Sequence, residues 1–160
     1  MHLSGSFQAK LQAPFGALGI RTSEGRLAEI VFLRPSAALP PRDGLAERVC
    51  EQLEAYLADP EFRFDLPLAC AGTPFQRRVW SKISAIAPGR TRSYGEIARE
   101  IDSAARAVGQ ACGANPLPLV VPCHRVLAAG GIGGFAHQEG GFHLSVKRWL
   151  LAHEGATAAR

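Results

Sequence analysis

Cysteine is sparse in this 160-residue chain, and none of it is spaced for metal. Cys50, Cys70, Cys112 and Cys123 are scattered, no CxxC occurs, and no cysteine pair stands beside histidines at zinc spacing, so no metal and no cofactor is expected. Long apolar runs are missing as well. None approaches the ~18 residues of a membrane span, so no membrane partner is expected. The opening residues, Met1-His2-Leu3-Ser4, lack the basic and then apolar pattern of a secretory signal. That points to a cytoplasmic protein with reduced thiols. No spare amphipathic helix asks for a partner, so a monomer is expected.

What is present is unevenly distributed. The formal net charge is +4, with a balance of −2 over residues 1–76 and +6 over residues 77–160. Arginine dominates the basic half. Such asymmetry suits a polyanionic partner for the C-terminal part, although a solvated basic face has the same composition.

The first third reads as strands around Phe7–Leu11, Ala17–Arg21 and Leu27–Leu33. Turn signals at Pro14-Phe15-Gly16 and Ser23-Glu24-Gly25 separate them, which predicts a small antiparallel sheet. A Pro- and Ala-rich connector runs from Arg34 to Gly44. A helix follows Asp43, with Leu45, Val49, Leu53 and Leu57 as its apolar stripe and Asp59-Pro60 as its end.

A second part begins near residue 70. Thr73-Pro74-Phe75-Gln76 is a helix start, with Phe75, Val79, Ile83 and Ile86 expected inward and Pro88-Gly89 as the stop. Ser93-Tyr94-Gly95-Glu96 is a capping box for a short helix burying Ile97, Ala98 and Ile101. Ser103 is the expected N-cap of a third helix, Ala104 to Cys112, whose residues are small: Ala104, Ala105, Ala107, Gly109 and Ala111. Two short helices with a tight turn have the form of a helix-turn-helix, though small residues serve plain close packing equally well. Six glycines between Gly130 and Gly141 predict a loop able to bring bare backbone near a planar ligand. A last helix is expected from Ser145 to His153, closed by Glu154-Gly155.

The segment Pro122-Cys123-His124-Arg125-Val126 sets a thiol, an imidazole and a guanidinium side by side. Thiolate is the reactive form of cysteine, and an adjacent base or positive charge favours it. His124 is placed to take the proton, directly or through water, with a carboxylate elsewhere to hold the ring. A buried core cysteine beside a satisfied surface histidine is the plainer alternative.

Four segments together resemble the O6-alkylguanine-DNA alkyltransferase family: GTPFQRRVW (72–80), TRSYGEIA (91–98), ARAVGQACGANPLPLVVPCHRV (105–126) and KRWLLAHEG (147–155). The resemblance implies an α/β ribonuclease-H-like domain over residues 1–69, with a small antiparallel sheet plus a helix. A mostly α winged helix-turn-helix domain over residues 70–160 would follow. The implied function is direct-reversal DNA repair, in which an alkyl group moves irreversibly from O6 of guanine, or less efficiently O4 of thymine, to the protein's own cysteine. The implied partner is double-stranded DNA carrying O6-alkylated guanine, bound through the minor groove with the damaged nucleotide flipped out.

The same resemblance assigns roles. Cys123 matches the alkyl acceptor, His124 its base through a water, and Glu154 the carboxylate that orients the histidine. Asn115 matches the asparagine that ties the cysteine turn together. Tyr94 matches the tyrosine that rotates the target phosphate and protonates the leaving guanine. Arg106 matches the arginine that enters the base stack. Ala105, Ala107, Gly109, Arg125 and Ser93 complete the expected DNA surface, and Val126, Gly134, Phe135 and Ala136 the substrate pocket. Two departures stand out. Phe135 lies where many members have tyrosine, and His137-Gln138-Glu139 lengthens the loop before Gly140-Gly141.

The rival readings are less well supported by the residues. A transcriptional sensor of this kind carries an extra zinc-cysteine domain, absent from the sequence. A cysteine hydrolase needs oxyanion donors that no motif supplies. A damage-binding relative without transfer lacks the cysteine, and Cys123 is present.

Overall fold

Two tight turns build the N-terminal sheet. Three strands, β1 (Ala9–Ala13), β2 (Gly16–Ser23) and β3 (Arg26–Leu33), form an antiparallel meander in the order β1-β2-β3. Between Ser23 and Arg26 both turn residues have positive φ, 51° at Glu24 and 76° at Gly25, as a two-residue hairpin of matching twist requires. The register sets Leu18 opposite Phe32 and Ile20 opposite Ile30, all buried. Across the same pair, Arg21 meets Glu29 at 2.7 Å.

Helix α1 (Gly44–Ala58) covers this sheet. Asp43 caps it by accepting from the Ala46 N–H at 2.8 Å. Its buried face is Ala46, Val49, Cys50, Leu53 and Tyr56, whereas Leu45 and Leu57 are only half-buried. The expected four-residue stripe drifts because a helix turns every 3.6 residues, not every 4.

The structure, a computed structural model, describes residues 6–133 and 141–156. It divides into two compact units, Met1–Cys70 and Ala71–Arg160. The second unit contains α2 (Pro74–Ser84), β4 (Arg92–Ser93), α3 (Tyr94–Glu100), α4 (Ala105–Gly113), a 3₁₀ turn (Cys123–Arg125), β5 (Val126–Leu127) and α5 (Gly141–His153). Both expected capping boxes are formed, Thr73 with Gln76 and Ser93 with Glu96. Trp80 of α2 donates to the Ala111 carbonyl at 2.8 Å, which fastens α2 to α4.

Several boundaries differ from the sequence expectation. Helix α2 ends at Ser84, short of Pro88, and Phe75 is only half-buried. Ala104, not Ser103, is the N-cap of α4, and no side chain caps it. The reason is that Ser103 still serves α3: its N–H bonds to the Ala98 carbonyl at 2.8 Å, and Asp102 makes the turn at φ 56°. Helix α5 starts at Gly141 rather than Ser145. Among the described residues, no helix is long and apolar enough to cross a membrane.

Candidate active site

Cys123 follows residues 114–122, a stretch without helix or named strand. Pro122, with φ −81° and ψ 66°, centres an inverse γ-turn, and the Cys123 N–H closes it onto the Val121 carbonyl at 2.8 Å. The Asn115 side chain organises the approach. Its Oδ1 accepts from the Leu117 N–H at 2.9 Å, and its Nδ2 donates to the Val121 carbonyl at 2.9 Å and to Cys123 Sγ at 3.3 Å. Leu119, buried between them, holds a left-handed φ of 76°, a strained conformation for a branched residue that its surroundings must enforce.

The thiol is 3% exposed. Burial pushes its pKa well up, the hydrogen-bonded Cys112 thiol adds to this, and Asn115 and Lys147 pull the other way. The Cys123 thiol therefore keeps its proton at neutral pH.

The next two residues turn inward. His124 is fully buried, and its Nε2 lies 2.8 Å from Glu154 Oε2. A carboxylate accepts, so Nε2 carries the proton and Nδ1 is the bare nitrogen. Nδ1 has no hydrogen-bond partner among the described residues. Burial lowers the His124 pKa, with help from Arg125 and Lys147 and against the pull of Glu154, so the ring rests neutral.

Arg125 was expected at DNA, and the structure corrects this. It is buried, with Nε on Glu154 Oε1 and Nη2 on Glu154 Oε2, both at 2.9 Å, and Nη1 on the Ile86 carbonyl at 2.5 Å. All three nitrogens are engaged inside the protein.

Glu154 reaches this position because α5 ends in a Schellman motif. The Ala156 N–H bonds to Leu151 O at 2.9 Å, the Gly155 N–H bonds to Ala152 O at 3.0 Å, and Gly155 has φ 74°. That φ is what the expected C′ glycine provides.

Tyr94 is the first residue of α3. The parallel pairing of Arg92-Ser93 with Val126-Leu127 ties the start of this helix to the strand that follows the cysteine turn. Burial raises the Tyr94 pKa, as do the Cys112 and Cys123 thiols, so the phenol keeps its proton at neutral pH. Val126 is fully buried, and its N–H bonds to the Cys123 carbonyl. Ser93 Oγ caps α3 by accepting from the Glu96 N–H at 3.0 Å.

On α4, Ala105 and Arg106 are exposed, and Ala107 and Gly109 are half-buried. Gly134, Phe135 and Ala136, together with His137, lie outside the described residues.

Two residues near Cys123 escaped the sequence reading. One is Cys112. The other is Lys147, fully buried, which donates to the Val126 carbonyl at 2.9 Å with its ammonium 5.9 Å from the Tyr94 ring centroid. Burial pushes its pKa down to about 8. Its signal was present in the sequence: a lysine three residues after Leu144 and four before Leu151 stands on the apolar stripe of α5.

The geometry defines a class, a cysteine site on a helical unit, with the Cys123 thiol beside that of Cys112, a neutral imidazole oriented by a carboxylate, and a protonated phenol. Comparison with known proteins names the family. The profile described as 6-O-methylguanine DNA methyltransferase, DNA binding domain, matches residues 74–156. A methylated-DNA–protein-cysteine methyltransferase of Methanosarcina acetivorans is 36% identical over 159 residues, 94% of this chain and 99% of that one. One from Mycolicibacterium paratuberculosis is 44% identical over 148 residues, 86% of this chain and 87% of that one. The crystal structure of the Mycobacterium tuberculosis O6-methylguanine methyltransferase superposes with a TM-score of 0.76 at 36% identity, covering 94% of this chain and 93% of that one. A structure of Mycobacterium tuberculosis OGT in complex with DNA gives 0.74, covering 91% of each. The chain belongs to the O6-methylguanine DNA methyltransferase family.

Two measurements probe the buried network. Arg125→Ala leaves Glu154 buried with one partner fewer, and it should cost about 3–5 kcal/mol in urea unfolding. A loss under about 1 kcal/mol would contradict the structural role. For His124, the folded pKa lies below the ordinary 6.5, so below that pH the unfolded chain binds a proton that the folded one refuses. Stability is then full above about pH 6.5 and falls as pH drops through that value, by up to about 1.4 kcal/mol per unit. His124→Gln should flatten this slope between about pH 6.5 and 5, and identical slopes would remove His124 as its source.

Proposed function

We propose that this protein repairs DNA by direct reversal, taking the alkyl group of O6-alkylguanine, and less efficiently of O4-alkylthymine, irreversibly onto Cys123, as a methylated-DNA–protein-cysteine methyltransferase. The observation that carries this reading is an Asn115-held Cys123 sulfur followed in the chain by His124, whose Nδ1 has no partner among the described residues and whose Nε2 is fixed by Glu154. In this reading the first unit, over residues 1–69, is a ribonuclease-H-like α/β domain. The second, over residues 70–160, is a winged helix-turn-helix with α3 and α4 as its helix pair.

The steps follow from the chemistry. A water carries the Cys123 proton to His124 Nδ1, and the carboxylate of Glu154 stabilises the imidazolium that forms. The thiolate attacks the saturated carbon on O6 in line. An S–C bond forms, the C–O6 bond breaks, and its electron pair stays with guanine. Tyr94, still protonated, gives the leaving base a proton. The thioether is stable, so each molecule acts once. Burial of the thiol keeps it neutral until a base is bound, which protects a group that cannot be regenerated.

Duplex DNA is the partner, approached through its minor groove by α4. A Cβ added at Gly109 would meet nothing within 4 Å, so packing within the chain does not call for glycine there. Glycine costs a helix about 1 kcal/mol relative to alanine, and close approach of an external backbone accounts for that cost. Arg106, exposed at the second position of α4, fills the space left by the flipped nucleotide. Ala105, Ala107 and Ser93 line the same approach. In this reading Val126 belongs to the pocket for the base.

Intact-mass measurement after mixing with an O6-methylguanine duplex tests the reading. One methyl per molecule is expected on Cys123 and none on a Cys123→Ser variant that still binds DNA. Methyl on Cys50, Cys70 or Cys112, or repeated turnover, would overturn it. Arg106→Ala should slow transfer from duplex by about tenfold to a thousandfold, or roughly 1.4–4 kcal/mol. It should leave reaction with free O6-benzylguanine near the native rate, and equal slowing of both substrates would refute the stacking role.

A further inference from the structure

We propose that the groove between α2 and the end of α3 holds a second stretch of DNA phosphate backbone, separate from the α4 face. This rests on the DNA reading above. The groove has a volume of about 510 Å³, with Arg77, Arg78, Ser81 and Lys82 on one wall and Glu100 and Ile101 on the other. Positions 78 and 82 are one helical turn apart and position 77 lies in the adjoining row, so three cations share one exposed face of α2.

These are not loosely solvated arginines. Arg77 donates through Nη1 to the Gly72 carbonyl, and Arg78 donates through Nη2 to the Ile101 carbonyl at 3.1 Å. Each guanidinium has five N–H donors, so one anchored nitrogen leaves the rest of the fork to meet phosphate oxygens. An anchored side chain also has less freedom to lose on binding. The one acid in the groove, Glu100, is matched by Arg92 at 2.5 Å and Lys82 at 3.5 Å, so the groove stays net cationic.

The occupant follows from charge and chain continuity. Duplex DNA presents one negative charge per ~1.7 Å of its axis. The wall at Ile101 runs through residues 102–104 directly into α4, which carries Arg106. A backbone touching the start of α4 therefore has these cations one helix away.

The test compares the full chain with Arg77→Gln/Arg78→Gln/Lys82→Gln in duplex-binding titrations from about 50 to 200 mM salt. The slope of log affinity against log salt should become shallower by about 2–3, at ~0.9 for each phosphate that is no longer neutralised. Alkylation of Cys123 by free O6-benzylguanine should stay within about twofold. Arg77→Gln/Lys82→Gln, which keeps the Arg78–Ile101 bond, should lose about 2 from the slope if folding of the triple variant is impaired. Unchanged slopes in both variants, or equal loss of free-base reaction, would overturn the groove as a phosphate site. Failure of the unaltered protein to bind duplex or to alkylate Cys123 would overturn the DNA reading itself, and it is a distinguishable result.

Discussion

The buried carboxylate of Glu154 is the constraint on which the reactive unit depends. A lone carboxylate in a protein interior carries a large desolvation cost, so it persists only if its oxygens are satisfied. Here three groups meet it: His124 Nε2, Arg125 Nε and Arg125 Nη2, at 2.8–2.9 Å. Through these bonds the end of α5 is fixed to the 3₁₀ turn after Cys123, and Arg125 extends the link to the Ile86 carbonyl beyond α2. Three elements distant in sequence are thus registered by one charge. The same charge chooses the histidine tautomer, because a carboxylate can only accept. Packing and chemistry are served by one set of bonds.

The backbone around the acceptor is irregular for a related reason. A helix or strand would commit its N–H and C=O groups to a ladder and set the side chain by that geometry. Between Asn115 and Cys123 the polar groups are satisfied instead by the Asn115 amide and by short turns. This lets the sulfur lie beside an amide donor in a dry place, at the cost of a left-handed Leu119. Desolvation holds the thiol protonated, while Asn115 and Lys147 favour the thiolate.

How far the sequence could be read depended on whether a feature is local. The hairpin turns and both capping boxes were legible because four consecutive residues contain the whole interaction. Glu154-Gly155 as a helix end was legible for the same reason. Ser103 misled because a serine before a small-residue run is a good N-cap in isolation, yet the α3 C-terminus claims its backbone. The start of α5 lay inside a glycine-rich stretch where propensity argues for a loop. Arg125 is the instructive case. Next to a reactive Cys-His pair in a basic half, an arginine reads as a nucleic-acid contact. Only the three-dimensional return of Glu154, 29 residues later, shows that its charge is spent internally. Cys112 is likewise 11 residues from Cys123 in the sequence but within hydrogen-bonding reach of it in the fold.

That case changes what the charge asymmetry means. The net +6 over residues 77–160 counts every cation alike. In the structure they fall into two kinds. Arg125 and Lys147 are buried, the charge of Arg125 matched by Glu154 and the ammonium of Lys147 donating to the Val126 carbonyl. Arg77, Arg78, Lys82, Arg90, Arg99, Arg106 and Arg148 are exposed. Exposed charges of this second kind dominate the potential that the surface presents. The basic composition therefore records two separate physical requirements. One is an internal clamp that holds the His124 imidazole and the Arg125 guanidinium on Glu154. The other is an exposed cationic surface on the same unit. Composition alone adds them together, and only burial separates them.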